Sequence, residues 1–117
     1  MASPAECLFC RIRDGQLPAQ KVHEDDRCFA IRDLRPQAPT HILVIPKKHI
    51  ATLNDLSDDD AEAVGHLVVV AKKVAAAEGL ADDGWRTVFN VNEHAGQTVF
   101  HIHLHVLGGR TFAWPPG

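Results

Sequence analysis

Three histidines alternate with aliphatic residues near the C-terminus, in the run His101-Ile102-His103-Leu104-His105-Val106. In a β-strand, successive side chains point to opposite faces. Read as a strand, the run puts its three imidazoles on one face and Ile102, Leu104 and Val106 on the other. That aliphatic face can bury itself in a core and hold the imidazoles still. Gly108 and Gly109 follow at once, where backbone can approach a ligand or turn sharply. Fixed imidazoles beside glycine suggest a site for a phosphate or a metal ion. The plain alternative is a half-buried strand whose histidines face water.

The wider sequence narrows the choice. His101 to His105 fits the His-x-His-x-His-x-x pattern of the histidine triad (HIT) family, with aliphatic residues at the x positions. Upstream, Glu24-Asp25-Asp26-Arg27-Cys28 and Pro36-Gln37-Ala38-Pro39-Thr40-His41 resemble the Hint branch of that family. So do Val44-Ile45-Pro46-Lys47-Lys48-His49-Ile50 and Asn92-Glu93-His94-Ala95-Gly96-Gln97. The closing Leu107-Gly108-Gly109-Arg110 and Trp114-Pro115-Pro116-Gly117 are similar as well. The resemblance runs from about Cys7 to Gly117. It implies a dimeric nucleotide-binding phosphoramidase.

Composition is consistent with this. A chain of 117 residues is one domain by length. A formal charge of −3 gives no field to attract nucleic acid, so any nucleotide must be held by a local site. No apolar run approaches the roughly 20 residues that span a bilayer, so no membrane partner is expected. Met1 to Glu6 lacks the basic and apolar segments of a secretory signal. Three cysteines make a poor disulfide framework. A reducing, cytoplasmic setting fits best.

Along the chain, residues 1–5 read as a flexible tail. Glu6 to Asp14 reads as a short helix with Leu8, Phe9 and Ile12 as its apolar stripe and Gly15 ending it. Val22 to Glu24 and Arg27 to Arg32 read as two strands joined by an Asp25-Asp26 turn. Pro36 and Pro39 frame a loop, and His41 to Ile45 is a buried strand closed by Pro46. Ser57 is an N-cap, with Asp58, Asp59 and Asp60 on the first turn where the helix dipole favours them. The acidic triplet reads as a solvated, capped helix start, not a metal site. Ala61, Val64, Val68, Ala71 and Ala75 recur at helical spacing, and Gly79 terminates this one long helix. Arg86 to Val91 alternates as a strand, followed by the Asn92–Gln97 loop. Antiparallel-looking strand groups with helices between them predict an α+β fold. We expect about five antiparallel strands, one long helix and one short one, in a two-fold dimer.

Attack on a phosphate needs an in-line nucleophile, donors for the phosphate oxygens and a proton for the leaving group. The middle histidine, His103, sits at the centre of the row. The resemblance implies that His103 attacks the α-phosphorus and forms a nucleotidyl-histidine that water cleaves. It implies that His105 binds phosphate and helps protonate the leaving amine, that His101 orients the central ring, and that His41 is the fourth histidine of the site. Gln97 and Thr98 can donate to phosphate oxygens, and Gly96 leaves backbone accessible. Asn92 matches a position that contacts phosphate or ribose, and Asp33 the acid that accepts from ribose hydroxyls. Leu8, Phe9, Ile12, Ile31 and Leu34 match positions that sandwich the base; ordinary core is their alternative. The resemblance further implies that the C-terminal tail, 111–117, reaches the dimer partner and places Trp114 near the neighbouring nucleotide. The chain lacks a Gly-x-x-x-x-Gly-Lys loop, which argues against a kinase-type or GTPase-type phosphate site.

Cys7-Leu8-Phe9-Cys10 puts two thiols at i and i+3 of the short helix. A Cys-x-x-Cys pair inside a cell suggests zinc or a redox couple. The redox reading lacks the thioredoxin-like strand it needs. The thiols are then zinc ligands or two buried small hydrophobes. Family members with this pair complete a zinc site with the histidine after Lys-Lys and the first of the triad, here His49 and His101. Cys28 reads as core, and His23, His66 and His94 have no evident partners.

The expected function is therefore hydrolysis of purine nucleoside phosphoramidates, of the AMP-lysine or aminoacyl-adenylate kind, with no cofactor for catalysis. Two alternatives remain. One is dinucleoside polyphosphate hydrolysis as in the Fhit branch, which the Trp-Pro-Pro-Gly tail disfavours. The other is a nucleotide-binding adaptor with incidental catalysis.

Overall fold

The computed structural model describes residues 6–117. The expected tail, residues 1–5, lies outside the described residues. The strands are β1 (Lys21–Glu24), β2 (Cys28–Arg32), β3 (Thr40–Pro46), β4 (Trp85–Val88) and β5 (Leu104–Gly108). The helices are α1 (Leu8–Arg13), α2 (Ala61–Ala77) and the single turn α3 (Asn92–Ala95). The strands form one sheet in the order β1-β2-β3-β5-β4, and every neighbouring pair is antiparallel. The α+β class with a five-stranded antiparallel sheet is as expected.

Register divides the sheet into two working faces. Ile31 pairs with Leu43, and Leu43 with His105, so these three share a face. This face joins Phe29 and Ile45 to Cys7, Phe9, Cys10 and Ile12 in a core under α1. The other face carries Cys28, Ala30, Ile42, Val44, Leu104 and Val106 against α2. Strand alternation thus sends His105 toward α1 and its neighbours Leu104 and Val106 toward α2.

Several elements differ from the sequence reading, each for a physical reason. The histidine run is not all strand: the ladder begins at Leu104, and His101 to His103 precede it. Their rings are held instead by contacts to α1 and to the chain after β3. The α2 stripe is Leu67, Val70, Ala71, Val74 and Ala75, with Val68 exposed. Leu67 to Val70 are all apolar, so periodicity alone cannot phase the helix there; packing on the sheet does. The acidic triplet is not wholly solvated. Asp60 is buried, and its carboxylate accepts from Lys48 Nζ at 2.6 Å and from the Ser57 amide at 3.0 Å. The last strand before the loop is Trp85–Val88, shorter than Arg86 to Val91 would suggest. The loop after it contains α3, closed by Gly96 in the left-handed region at φ 84°.

Candidate active site

His101, His103 and His105 stand beside one another along the α1 face. The edge-on ring of Phe9 packs against His101 and His103, with centroids 5.9 and 5.0 Å apart. His103 and His105 are 5.0 Å apart, and His41 lies 5.1 Å behind His105.

Hydrogen bonds fix the proton on each ring. His103 Nδ1 lies 2.8 Å from the His101 carbonyl, which can only accept, so Nδ1–H donates and Nε2 keeps a free lone pair. At His41, Nδ1 accepts from the Gln37 amide at 3.0 Å. Its proton is therefore on Nε2, which donates to His105 Nδ1 at 2.8 Å. His105 in turn must carry its proton on Nε2. Two adjacent rings thus have opposite endings: a bare nitrogen on His103 and an N–H on His105. Burial pushes the pKa of His103 and His41 below the ordinary histidine range, and that of His105 down to about 4. Asp33 opposes the shift at each of these rings; its Oδ2 lies 3.5 Å from His41 Nε2.

His103 and His105 open on a cavity of about 600 Å³. Leu8, Phe9, Ile12, Ile31, Asp33 and Leu34 line it, together with Gly96 and Thr98. Leu8 and Leu34 are 45% and 98% exposed, so they are cavity rim and not core. Phe9, Ile12 and Ile31 serve as both wall and core. Asn90 also lines the cavity and was not singled out from sequence. Its signal is alternation: Val88 faces His105 in register, and Asn90 is two residues on.

Five expected site residues lie elsewhere. His41 is behind His105, and His101 is fully buried. Gln97 needs correction as a phosphate donor. Its amide already donates to the carbonyls of Ala51 at 2.8 Å and Val99 at 3.1 Å, and its Oε1 accepts from the Asn92 amide. It pins the loop that presents Gly96 and Thr98. Trp114 is 82% exposed and outside this chain's own cavity. Asn92 is exposed, in the left-handed region at φ 62°.

A second cluster adjoins the triad. His101 Nε2 donates to the Pro46 carbonyl at 2.7 Å, which turns its Nδ1 lone pair toward Cys7 and Cys10. That Nδ1 lies 3.4 and 3.5 Å from the two sulfurs and 3.2 Å from His49 Nδ1; His49 Nδ1 is 3.3 Å from Cys10 Sγ. Zinc bonds of roughly 2.0–2.3 Å imply tetrahedral edges of about 3.3–3.8 Å. The four separations, 3.2–3.5 Å, are close to that spacing, and all four donor atoms lie within 4.8 Å of one another.

Three histidines on this sheet, with a bare ring nitrogen on His103 beside an N–H on His105, define a class. The HIT domain family model matches residues 14–112, and the chain belongs to the HIT family. It is 49% identical over 105 residues to the purine nucleoside phosphoramidase of Escherichia coli, covering 90% of this chain and 88% of that protein. A HIT family hydrolase from Legionella pneumophila is 60% identical, with a TM-score of 0.93 over 95% of this chain and 99% of that one. A Zn-bound histidine triad family protein from Mycobacterium smegmatis is 38% identical, with a TM-score of 0.80 over 98% and 82% of the two chains. No helix among the described residues is long and apolar enough to cross a membrane.

Proposed function

We propose that this chain is a nucleotide hydrolase that cleaves the P–N bond of purine nucleoside phosphoramidates. The carrying observation is the pair of opposite ring endings, a free Nε2 on His103 beside an Nε2–H on His105. His103 Nε2 attacks the α-phosphorus, the P–N bond breaks, and a nucleotidyl-His103 forms. The leaving amine takes its proton through His105 Nε2. A proton taken up from solvent with the anionic substrate leaves that ring neutral afterwards. Water then attacks phosphorus, the bond to His103 Nε2 breaks, water's proton passes to solvent, and nucleoside monophosphate departs while His105 Nε2–H holds a phosphate oxygen.

The rest of the cavity suits the remainder of such a substrate. Thr98 and the backbone near Gly96 would face the phosphate, and Asn92 would contact it or the ribose from the rim. Asp33 accepts from ribose hydroxyls, a job that an ionised carboxylate does well. Leu8, Phe9, Ile12, Ile31 and Leu34 hold the base between apolar surfaces. Likeness to the phosphoramidase supports the substrate class. Steady-state kinetics with an AMP-lysine phosphoramidate, an aminoacyl-adenylate and a dinucleoside polyphosphate test the reading. Higher kcat/KM on the polyphosphate would overturn it, and binding of AMP without turnover of any of the three would leave an adaptor.

Zinc belongs to the same proposal as a structural ion, with Cys7, Cys10, His49 and His101 as its ligands. When bound, it ties α1 to the chain after β3 and to the start of the histidine run. Catalysis needs only the chain's own side chains.

The proposed assembly is a homodimer of single-domain chains, in which segment 111–117 brings Trp114 to the partner's cavity. β4 has a neighbour on one side only, and an unpaired strand edge is a ready surface for a second copy. Light scattering at micromolar concentration should give twice the chain mass; a monomer would count against the dimer. Three free, buried cysteines agree with a cytoplasmic setting.

The pH profile is a further expected result. His103 attacks only when neutral. Burial lowers its pKa, so activity persists below the ordinary value of 6.5 and is lost as pH falls through the depressed one. The acid limb of kcat/KM, which reports the free enzyme, should therefore lie below pH 6.5. An acid limb above pH 7 would mean that the nucleophile is not a buried histidine.

A further inference from the structure

On the opposite face of the sheet, four metal-ligating side chains converge where the β1–β2 hairpin meets α2. Asp25 is their hub. Its Oδ1 is committed to the turn, accepting from the amides of Arg27 at 2.8 Å and Cys28 at 2.9 Å. Its Oδ2 takes three other donors. His23 Nε2 lies 2.8 Å away, His66 Nε2 2.7 Å away and Cys28 Sγ 3.7 Å away.

One carboxylate oxygen has about two lone pairs in its plane. Three donors crowd it, and each belongs to a residue type that binds transition metals. The donor atoms of His23, Asp25 and Cys28 all lie within 4.8 Å of one another, and His66 reaches the same oxygen from α2. The side chains of His23, Asp25 and His66 are each about a quarter exposed, while Cys28 is fully buried. An ion can enter from solvent and find the thiol at the bottom. Register puts His23 opposite Ala30 on the α2 face, away from the histidine triad.

We propose that His23, Asp25, Cys28 and His66 form a second metal site for a divalent ion of the zinc class. Two imidazoles, a carboxylate and a thiolate make a borderline donor set that suits zinc or cobalt and not calcium or magnesium. On binding, the Cys28 thiol gives its proton to solvent, and each imidazole carries its proton on Nδ1 so that Nε2 can ligate. The ion takes the place of the protons that now compete for Asp25 Oδ2. It cross-links the hairpin to α2, two elements far apart in sequence.

Metal-free full-length protein titrated with cobalt(II) and with zinc(II) tests this. The site adds one ion per chain to whatever the Cys7–Cys10 cluster takes. His23→Ala and His66→Ala should each lose one ion per chain and the cobalt–thiolate band of Cys28, while Cys7→Ser retains both. Zinc should also raise the melting temperature of Cys7→Ser protein and fail to do so when His66→Ala is added. Equal stoichiometry in wild type, His23→Ala and His66→Ala, with folding unchanged by circular dichroism, would overturn the proposal. Since Cys7→Ser reports the first cluster separately, failure of either site is told apart from failure of the other.

Discussion

His103→Ala is expected to lower phosphoramidate turnover by about three orders of magnitude or more, because it removes the covalent route. Nucleotide affinity should change little. The apolar walls and Asp33 remain, and the lost interaction matters chiefly at the transition state. His105→Ala should cost less, about 10²–10³-fold, the usual scale for one lost transition-state donor. Rapid quenching of the wild type should trap a nucleotide on His103, stable to base and labile to acid. If His103→Ala turns over near the wild-type rate, the nucleophile lies elsewhere and the triad is a binding site.

Cys7→Ser is expected to have the largest effect on stability. A structural zinc ion contributes on the order of 10 kcal/mol of binding energy that folding can draw on. Weakening it should lower the melting temperature by about 10 °C or more in a domain of this size. Elemental analysis of protein purified without chelator should find zinc, and Cys7→Ser should reduce it. Protein that contains no zinc when prepared under reducing conditions would sink the assignment. Residual activity per folded molecule should fall much less than stability, since a closed four-ligand site has no open position for substrate.

Much of this architecture was legible in the chain. Alternation from Leu104 to Val106 put His105 on one face and its aliphatic neighbours on the other, and the sheet obeys it. The hairpin around Asp25 was equally readable, because turn chemistry is local; Ser57, expected to cap the long helix, instead caps a 3-10 turn at Asp58–Asp60, and α2 begins at Ala61 with Asp60 as its N-cap. What escaped was set by distant partners. His66 had no visible role because its carboxylate is 41 residues away in sequence. Gln97 looked free to donate until the carbonyl of Ala51 came beside it. Asp60 looked solvated until Lys48 covered it. In α2, four consecutive apolar residues left the helix phase to the sheet beneath.

The Gln37 amide sits in the loop framed by Pro36 and Pro39, outside the row of histidine rings. It nevertheless sets the protonation of two of them, since its N–H occupies His41 Nδ1 and so dictates which nitrogen of His105 carries hydrogen. The instruction comes from the main chain, and any side chain at position 37 delivers it equally well. Only proline lacks the N–H. Part of the chemistry of this site is therefore written in the path of a loop, where a scan of side chains would never read it.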